Sequence, residues 1–194
     1  MTLARQAIEE HGAWQKVVEL EALALMVATL RPHRVLEIGT HKGGTLWLWS
    51  QLAADDALLV SVDLDHETVW AAMNADERLR EDLRPLIDQE RLFFVEGDSS
   101  RAGTQRAVER LFGGESVDLL FIDGGHSYLA ALVDWYRYSG LVGKGGLIVL
   151  HDTREADNAG VDQLWAELKE QYETTTEIVA TDPSRWGGIS VVRV

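Results

Sequence analysis

The chain has 194 residues, and its 18 basic and 32 acidic side chains give a formal net charge of −14. Because nucleic-acid binding relies on clustered lysines and arginines, this balance argues against a nucleic-acid partner. The chain has no cysteine, which excludes disulfides, thiolate metal sites and cysteine nucleophiles. The length predicts a single domain over residues 1–194, large enough to bury a core without a structural metal.

No stretch of the sequence approaches the roughly 18 consecutive apolar residues that a membrane-spanning helix needs. Charged residues within 1–10 lie where the apolar core of a signal peptide would be. We therefore expect no membrane partner and a cytoplasmic location.

The first predicted element is an N-terminal helical segment within residues 1–30. Apolar residues recur at helical spacing over 14–30, and Pro32 ends the pattern because proline disfavours helical geometry in the residue before it. The segment could act as a lid through His11, Trp14 and Gln15, or its apolar surface could make a contact in a homodimer.

Strand and helix patterns alternate after this segment. The predicted strands are 34–38, 58–62, 91–96, 117–122, 146–150, 175–180 and 189–194. The predicted helices that follow the first five strands are 45–53, 66–80, 102–112, 127–141 and 158–172. This alternation predicts a parallel sheet covered by helices on both faces, with the last two strands forming a hairpin at one edge. Such sheets bind ligands beyond the carboxyl ends of their strands, so the strand ends are where functional residues are expected.

The first strand ends in a glycine-containing turn, with Glu37 inside the strand and Gly39, Gly43 and Gly44 beyond it. Glycines at this place let a ligand approach the backbone closely. The spacing differs from the G-x-G-x-x-G of dinucleotide-binding proteins, and the Glu37 carboxylate would repel a pyrophosphate. The turn therefore fits a cationic ligand. The alternative is that it is a plain tight turn without a ligand.

Acidic residues also follow the second and third strands. Asp63 could accept hydrogen bonds from both hydroxyls of a ribose, whereas Asp65 fits the role of a helix N-cap. Asp98 could accept a hydrogen bond from an adenine amino group, with an N-cap for the next helix as the alternative.

The ends of the fourth and fifth strands carry the richest cluster of polar residues. If these strands are neighbours, about 4.8 Å apart, Asp123 and Asp152 lie at one edge and repel each other unless a proton or cation lies between them. We favour a divalent cation, since carboxylate oxygens suit Mg²⁺ or Mn²⁺, and His126 could reach the same place. The alternatives are a helix cap for Asp152 and a satisfied buried histidine for His151. Trp186 could overhang the site from the final hairpin.

Together these residues resemble a class I S-adenosylmethionine (SAM)-dependent methyltransferase. The turn E-I-G-T-x-x-G-G, the V-D after the second strand, the G-D-S after the third and the terminal hairpin carry the resemblance over about residues 30–194. Within that class, F-I-D-G-G-H-S-Y and G-G-L-I-V-L-H-D-T are similar to domains related to cephalosporin hydroxylase and to metal-dependent sugar O-methyltransferases of macrolide pathways.

The resemblance implies a doubly wound, Rossmann-like α/β fold with seven strands in the order 3-2-1-4-5-7-6 and one antiparallel strand. It implies SAM as cofactor, with the methionine part held by residues of the first turn, namely Glu37, Gly39, Thr40, Gly43 and Gly44. It also implies that Asp63 holds the ribose and that Asp98 and Ser99 hold the adenine.

The same resemblance implies a divalent metal bound by Asp123 and Asp152, with His126 as general base. His151 stands where the sugar enzymes tend to have an acidic ligand, which makes it a third candidate metal ligand. A histidine ligand would favour Mn²⁺, Fe²⁺ or Zn²⁺ over Mg²⁺, which leaves the identity of the metal open.

These observations predict O-methylation of a small hydroxylated molecule, such as a sugar, polyketide or phenolic compound. The metal would lower the pKa of the acceptor hydroxyl, and an imidazole could take its proton near neutral pH. The alternatives are a metal-independent methyltransferase of the same fold, a nicotinamide-dependent oxidoreductase, and a cofactor-binding module that needs a partner for activity.

Overall fold

The computed structural model of the chain describes residues 1–154, 160–182 and 186–194. The strands are β1 (Arg34–Ile38), β2 (Leu58–Asp63), β3 (Leu92–Glu96), β4 (Val117–Ile122), β5 (Val142–His151), β6 (Thr175–Ile178) and β7 (Ile189–Arg193). The α-helices are α1 (Leu3–Glu9), α2 (Val17–Leu30), α3 (Gly44–Leu52), α4 (His66–Ala75), α5 (Glu77–Asp88), α6 (Ala102–Phe112), α7 (Tyr128–Tyr138) and α8 (Val161–Leu168). A short 3₁₀ turn at Ser139–Leu141 precedes β5.

The described strands form one seven-stranded sheet in the order β3-β2-β1-β4-β5-β7-β6. Strands β1 to β5 pair in parallel, and β7 runs antiparallel to both β5 and β6. This confirms the predicted fold class and strand order. The chain leaves β1 towards β2 on one side and returns to β4 on the other, so β1 and β4 flank the point where the strand order reverses.

Alternating side chains of the central strands supply two separate apolar cores. On β1, Val35 packs into the core that contains residues of α1, α2, α3 and α5, while Leu36 and Ile38 pack into the core formed with α6, α7 and α8. This alternation follows from the two-residue period of a strand, which sends successive side chains to opposite faces. Because both faces are covered, the central strands carry nearly continuous apolar runs, as their sequences suggested.

The N-terminal segment differs from its prediction. Instead of one helix over 14–30, α1 and α2 are separated by residues 10–16, and Gly12 in this connection has a φ of +73°. The predicted helix begins only at Val17, and residues 12–15 instead form a connection that lines the cavity described below.

Two other predicted helices also have different bounds. The polar region 66–80 contains two helices because Asp76 ends α4 and its carboxylate then accepts a hydrogen bond from the Leu79 amide at the start of α5. The helix predicted over 158–172 is observed as Val161–Leu168, and residues 158–159 lie outside the described residues. No helix within the described residues is long and apolar enough to cross a membrane.

Candidate active site

A cavity of about 1180 Å³ opens at the carboxyl ends of the five parallel strands. Its lining includes residues that end or follow each of these strands and the connection between α1 and α2, namely 38–42, 62–65, 97–100, 123–127, 151–152 and 12–15. This is the place where a doubly wound sheet binds its ligand. The cavity therefore brings together most of the residues that the sequence singled out.

The glycine turn after β1 lies against the loop after β4. Gly39 has a φ of +94°, and a Cβ at this position would collide with the backbone carbonyl of Asp123, so only glycine fits. Thr40 and Gly44 line the cavity, and Gly44 lies against the backbone of Ala13. Gly43 does not line it and instead provides the left-handed residue that begins α3.

Glu37 lies beneath the turn and is fully buried. The Trp49 indole donates a hydrogen bond to its Oε1 at 3.1 Å, and the Ser61 hydroxyl donates one to its Oε2 at 2.8 Å. Burial raises the pKa of Glu37 to about 8, although hydrogen bonds from Thr45, Ser61 and Trp49 oppose this shift. Glu37 is not among the residues that line the cavity, and its contacts place it in the joint between β1, β2 and α3, so its expected contact with a cofactor stays a prediction.

Asp63 lies at the cavity wall and fixes the glycine turn. Its Oδ2 accepts hydrogen bonds from the backbone amides of Thr40 at 2.8 Å and His41 at 3.0 Å. The carboxylate thus joins the end of β2 to the turn after β1 while still facing the cavity. Asp65 is the N-cap of α4, as predicted.

Asp98 and Ser99 lie at the β3 end of the cavity. Asp98 Oδ1 accepts a hydrogen bond from the Ser100 amide at 2.9 Å, and Oδ2 accepts one from Arg101 Nε at 3.1 Å. The bonds from Ser100, followed by those from Arg101, hold the pKa of Asp98 below its usual range. The carboxylate therefore stabilises the turn before α6, where Arg101 is the N-cap residue.

The β4 and β5 ends bring three potential metal ligands together. One ligand atom each from Asp123, His126 and Asp152 lies within 4.8 Å of the others. Register explains why: Ile122 pairs with Leu150, so the residues that follow these two strands meet at one edge of the sheet. Asp152 is nearly buried and His126 is about half exposed, with their Oδ2 and Nε2 atoms 3.3 Å apart. Two oxygen donors and one imidazole form a set that suits a divalent metal.

His151 occupies a different place from the three clustered ligands. Its Nδ1 lies 3.0 Å from Asp123 Oδ1 and 3.3 Å from Asp152 Oδ1, so the ring contacts both carboxylates from the buried side. Burial alone would lower the pKa of His151, but the two carboxylates raise it to about 10. Burial would conversely raise the pKa of Asp152, yet His151 and then His126 hold it below its usual value. The protonated His151 ring therefore supplies a positive charge between the Asp123 and Asp152 carboxylates.

The connection between α1 and α2 adds residues that the sequence did not assign to this cluster. Gln15 is buried, and its Nε2 donates a 2.7 Å hydrogen bond to Asp123 Oδ2. Trp14 also lines the cavity, with its ring centroid 5.8 Å from that of His41. His11 lies outside the cavity lining, since its Nδ1 pairs with Asp76 at 2.7 Å. A helical pattern could not reveal the Gln15 contact, because it joins positions 108 residues apart.

Trp186 reaches the cavity from the connection between β6 and β7, as the sequence suggested. The Lys16 Nζ lies 5.1 Å from the centroid of its ring. Glu19, fully buried in α2, accepts hydrogen bonds from the amides of Ala180 at 2.8 Å and Gly188 at 2.9 Å. Helix α2 therefore holds both ends of the segment that carries Trp186.

Asp134 is a further cavity residue that the sequence did not single out. It lies on α7, is 2% exposed, and lines the cavity beside Ser99, whose side chain is its hydrogen-bond partner at the β3 end. The sequence feature that could have identified Asp134 is its position as an acidic residue within the mostly apolar helical pattern of 127–141.

Residues 36–153, more than half of the chain, match a family described as a methyltransferase domain, and the chain belongs to this family. With the sheet order and the strand-end cavity, this match identifies it as a class I SAM-dependent methyltransferase. The chain is also 29% identical over 147 residues to an uncharacterised protein of Sinorhizobium fredii. That alignment covers 74% of this chain but only 16% of the other protein, so the chain spans a small part of its curated relative.

Solved structures show the same fold. The O-methyltransferase TomG of Streptomyces achromogenes, involved in tomaymycin synthesis and solved with SAM, is 18% identical with a TM-score of 0.70, over 98% of this chain and 88% of TomG. An O-methyltransferase of Bacillus cereus, solved with S-adenosylhomocysteine (SAH), is 15% identical with a TM-score of 0.64, over 99% of this chain and 87% of that chain. These likenesses confirm the predicted fold.

Proposed function

We propose that this methyltransferase transfers the methyl group of SAM to a hydroxyl of a small molecule, with a divalent metal bound at the β4 and β5 ends. The observation that carries the proposal is the cluster of Asp123, His126 and Asp152, whose ligand atoms lie within 4.8 Å of one another. The cluster lines the same cavity as the glycine turn, so the metal, the acceptor hydroxyl and the methyl donor would share one space.

The cofactor would lie across the glycine turn, with its methionine part near Gly39, Thr40 and Gly44. The Asp63 carboxylate lines the cavity from the next strand and would accept hydrogen bonds from the ribose hydroxyls. The adenine would then reach the β3 end, framed by Asp98 and Ser99. Gly43 contributes through the conformation that starts α3, and Glu37 through its support of the turn from below.

Asp123 and Asp152 would hold the metal, which when bound supplies a positive charge that lowers the pKa of a coordinated hydroxyl. In this assignment His126 is not a metal ligand; it would take the hydroxyl proton, and its solvent exposure would let that proton pass to water. The hydroxyl oxygen would then form a bond to the methyl carbon as the sulfur–methyl bond breaks, which would leave SAH and the methyl ether. His151 and Gln15 would position the two carboxylates through the contacts already present.

The acceptor is proposed to be a small molecule because the reacting cluster lines the cavity together with Trp14 and Trp186. An aromatic or sugar diol would suit the metal, since two neighbouring oxygens can chelate one ion. The whole arrangement is proposed to belong to a single domain over residues 1–194, because the connection between α1 and α2 supplies part of the cavity wall.

A metal-independent methyltransferase is the second candidate, and the position of His151 favours it. The protonated ring already places one positive charge against both carboxylates, which relieves their repulsion without a metal. In that case His126, oriented by Asp152, would act as general base without help from a Lewis acid.

Two measurements separate these candidates. Isothermal titration with Mn²⁺ and Mg²⁺ should show one site in the wild-type chain and a loss of at least tenfold in affinity for Asp152→Asn. Asp65→Asn is the matched control, since it changes a carboxylate of the same cavity outside the cluster and asparagine also serves as an N-cap. SAM binding should be retained in both variants.

The second measurement follows SAH release with a panel of hydroxylated acceptors, with EDTA and after metal is restored. The proposal expects turnover that EDTA abolishes and metal restores. Full turnover in EDTA would establish the metal-independent candidate. Retained SAM binding with no turnover on any acceptor, with or without metal, would point instead to a module that needs a partner.

A further inference from the structure

Asp134 is a buried carboxylate that has no role in the proposed chemistry and whose hydrogen-bond partner is the Ser99 side chain. It lies on α7 among apolar neighbours, is 2% exposed, and lines the cavity. Its Oδ1 has no hydrogen-bond partner within the part of the chain that the structure describes. An unpaired buried acceptor costs free energy, commonly about 1–3 kcal/mol, unless a ligand or water supplies a donor.

The neighbouring Asp98 differs in this respect. Both of its oxygens already accept hydrogen bonds, one from the Ser100 amide and one from Arg101, and its side chain is about 40% exposed. Asp98 therefore has less capacity to accept a further donor from a ligand, and solvent weakens what it could offer. Of the two acidic side chains at this end of the cavity, Asp134 is the one with an unused and buried acceptor.

The surroundings of Asp134 fit a flat heterocycle with a polar edge. Ala130 and Val133 of α7 line the same part of the cavity and offer apolar contact. Ser99 is fixed in place, because the Tyr138 hydroxyl donates a 2.9 Å hydrogen bond to its backbone carbonyl. A planar ring held here would bury its faces against apolar atoms and direct its edge at Ser99 and Asp134.

We propose that Asp134 accepts a hydrogen bond from the 6-amino group of the cofactor's adenine and determines the selectivity of the site for that base. The inference rests on the proposed placement of the adenine at the β3 end. It reassigns to Asp134 the contact that the sequence suggested for Asp98.

The donor and acceptor pattern supports this assignment. The adenine amino group offers two N–H donors, and a carboxylate offers only acceptors when ionised. Burial raises the pKa of Asp134 to about 6, opposed by the Ser99 hydroxyl, so the group is mostly ionised at pH 8. A purine without the amino group would expel water from Asp134 and supply no donor in exchange, which leaves the carboxylate buried and unpaired.

The experiment compares SAH with its 6-deamino analogue, in which hydrogen replaces the amino group. Isothermal titration at pH 8 in EDTA keeps any metal out of the measurement. The wild-type chain should bind the analogue about 10- to 100-fold more weakly than SAH. Asp134→Asn should reduce that ratio at least tenfold, because its amide can rotate to donate a hydrogen bond to the ring nitrogen of the analogue. Asp98→Asn should keep the wild-type ratio, and unfolding melts establish that both variants are folded.

A merely structural role for Asp134 would weaken both ligands equally and leave the ratio unchanged, which would overturn the inference. Equal affinity of the wild-type chain for SAH and the analogue would also overturn it, even if the Asp134→Asn variant does not fold. Loss of the ratio in Asp98→Asn alone would return the contact to Asp98. If SAH itself does not bind, the proposed function fails as well, whereas binding of SAH without discrimination rejects only the role of Asp134.

Discussion

Replacing Glu37 with glutamine tests how the buried carboxyl supports the site. In the folded protein the pKa of Glu37 is raised by burial to about 8, from an ordinary value of 4.5. The group is therefore mostly protonated at neutral pH, and glutamine imitates this neutral form. The glutamine amide can donate to the Ser61 hydroxyl, which in turn can donate to the Thr40 hydroxyl 2.6 Å away.

The sign and size of the effect follow from proton linkage. Because the pKa of the folded state is raised, the contribution of this carboxyl to stability is fully present below pH 4.5 and is lost as the pH rises through about 8. For those two values, the free energy of unfolding falls between pH 6 and pH 9 by on the order of 2–3 kcal/mol more in the wild type than in Glu37→Gln.

Urea denaturation of both proteins without cofactor, at pH 6, 7, 8 and 9, measures this difference. Groups that titrate in both proteins cancel in the comparison. Glu173→Gln, at an exposed position, is the control and should run parallel to the wild type. A difference between wild type and Glu37→Gln that stays constant from pH 6 to pH 9 would show that Glu37 is ionised in the folded state and would refute the reasoning.

Three further outcomes are expected. Gly39→Ala should lower the free energy of unfolding by about 3 kcal/mol or more, because φ at this position is +94° and the added Cβ would meet backbone atoms. Gly103→Ala should raise it by about 0.5 kcal/mol, because Gly103 lies on α6 and an added Cβ would meet nothing within 4 Å. Urea denaturation measures both changes, and two changes of the same sign would contradict the reasoning. Glu19→Gln should lower the free energy of unfolding by about 1–3 kcal/mol in the same assay, because a glutamine offers one oxygen to the two buried amides that Glu19 accepts from. An unchanged urea midpoint of unfolding would contradict that role. SAM at one hundred times its dissociation constant should stabilise the wild type by about 2.7 kcal/mol and raise the melting temperature by roughly 5–10 °C in a thermal scan, and no shift would argue against binding.

The sequence by itself determined the strands, the parallel sheet and the place of the cavity, while the strand order followed from the resemblance to class I methyltransferases. Apolar runs such as Val117–Ile122 need burial on both faces, and alternation with helical patterns then requires a parallel sheet. Since carboxyl ends of parallel strands share one edge, the sequence alone predicts that Asp123 and Asp152 lie close together, as they do. Gly39 was equally visible, because a turn between a strand and a helix at a ligand site needs a residue without a Cβ.

The tertiary structure decided where the side chains point and which distant groups they meet. Glu37 turned away from the cavity because its position on β1 faces the side covered by α3, where Trp49 and Ser61 enclose it. Gln15 reached Asp123, and Asp134 met the β3 end, through the way their segments pack on the sheet. Local patterns fix the period of each element, but contacts between segments far apart in sequence depend on how the helices lie against the sheet.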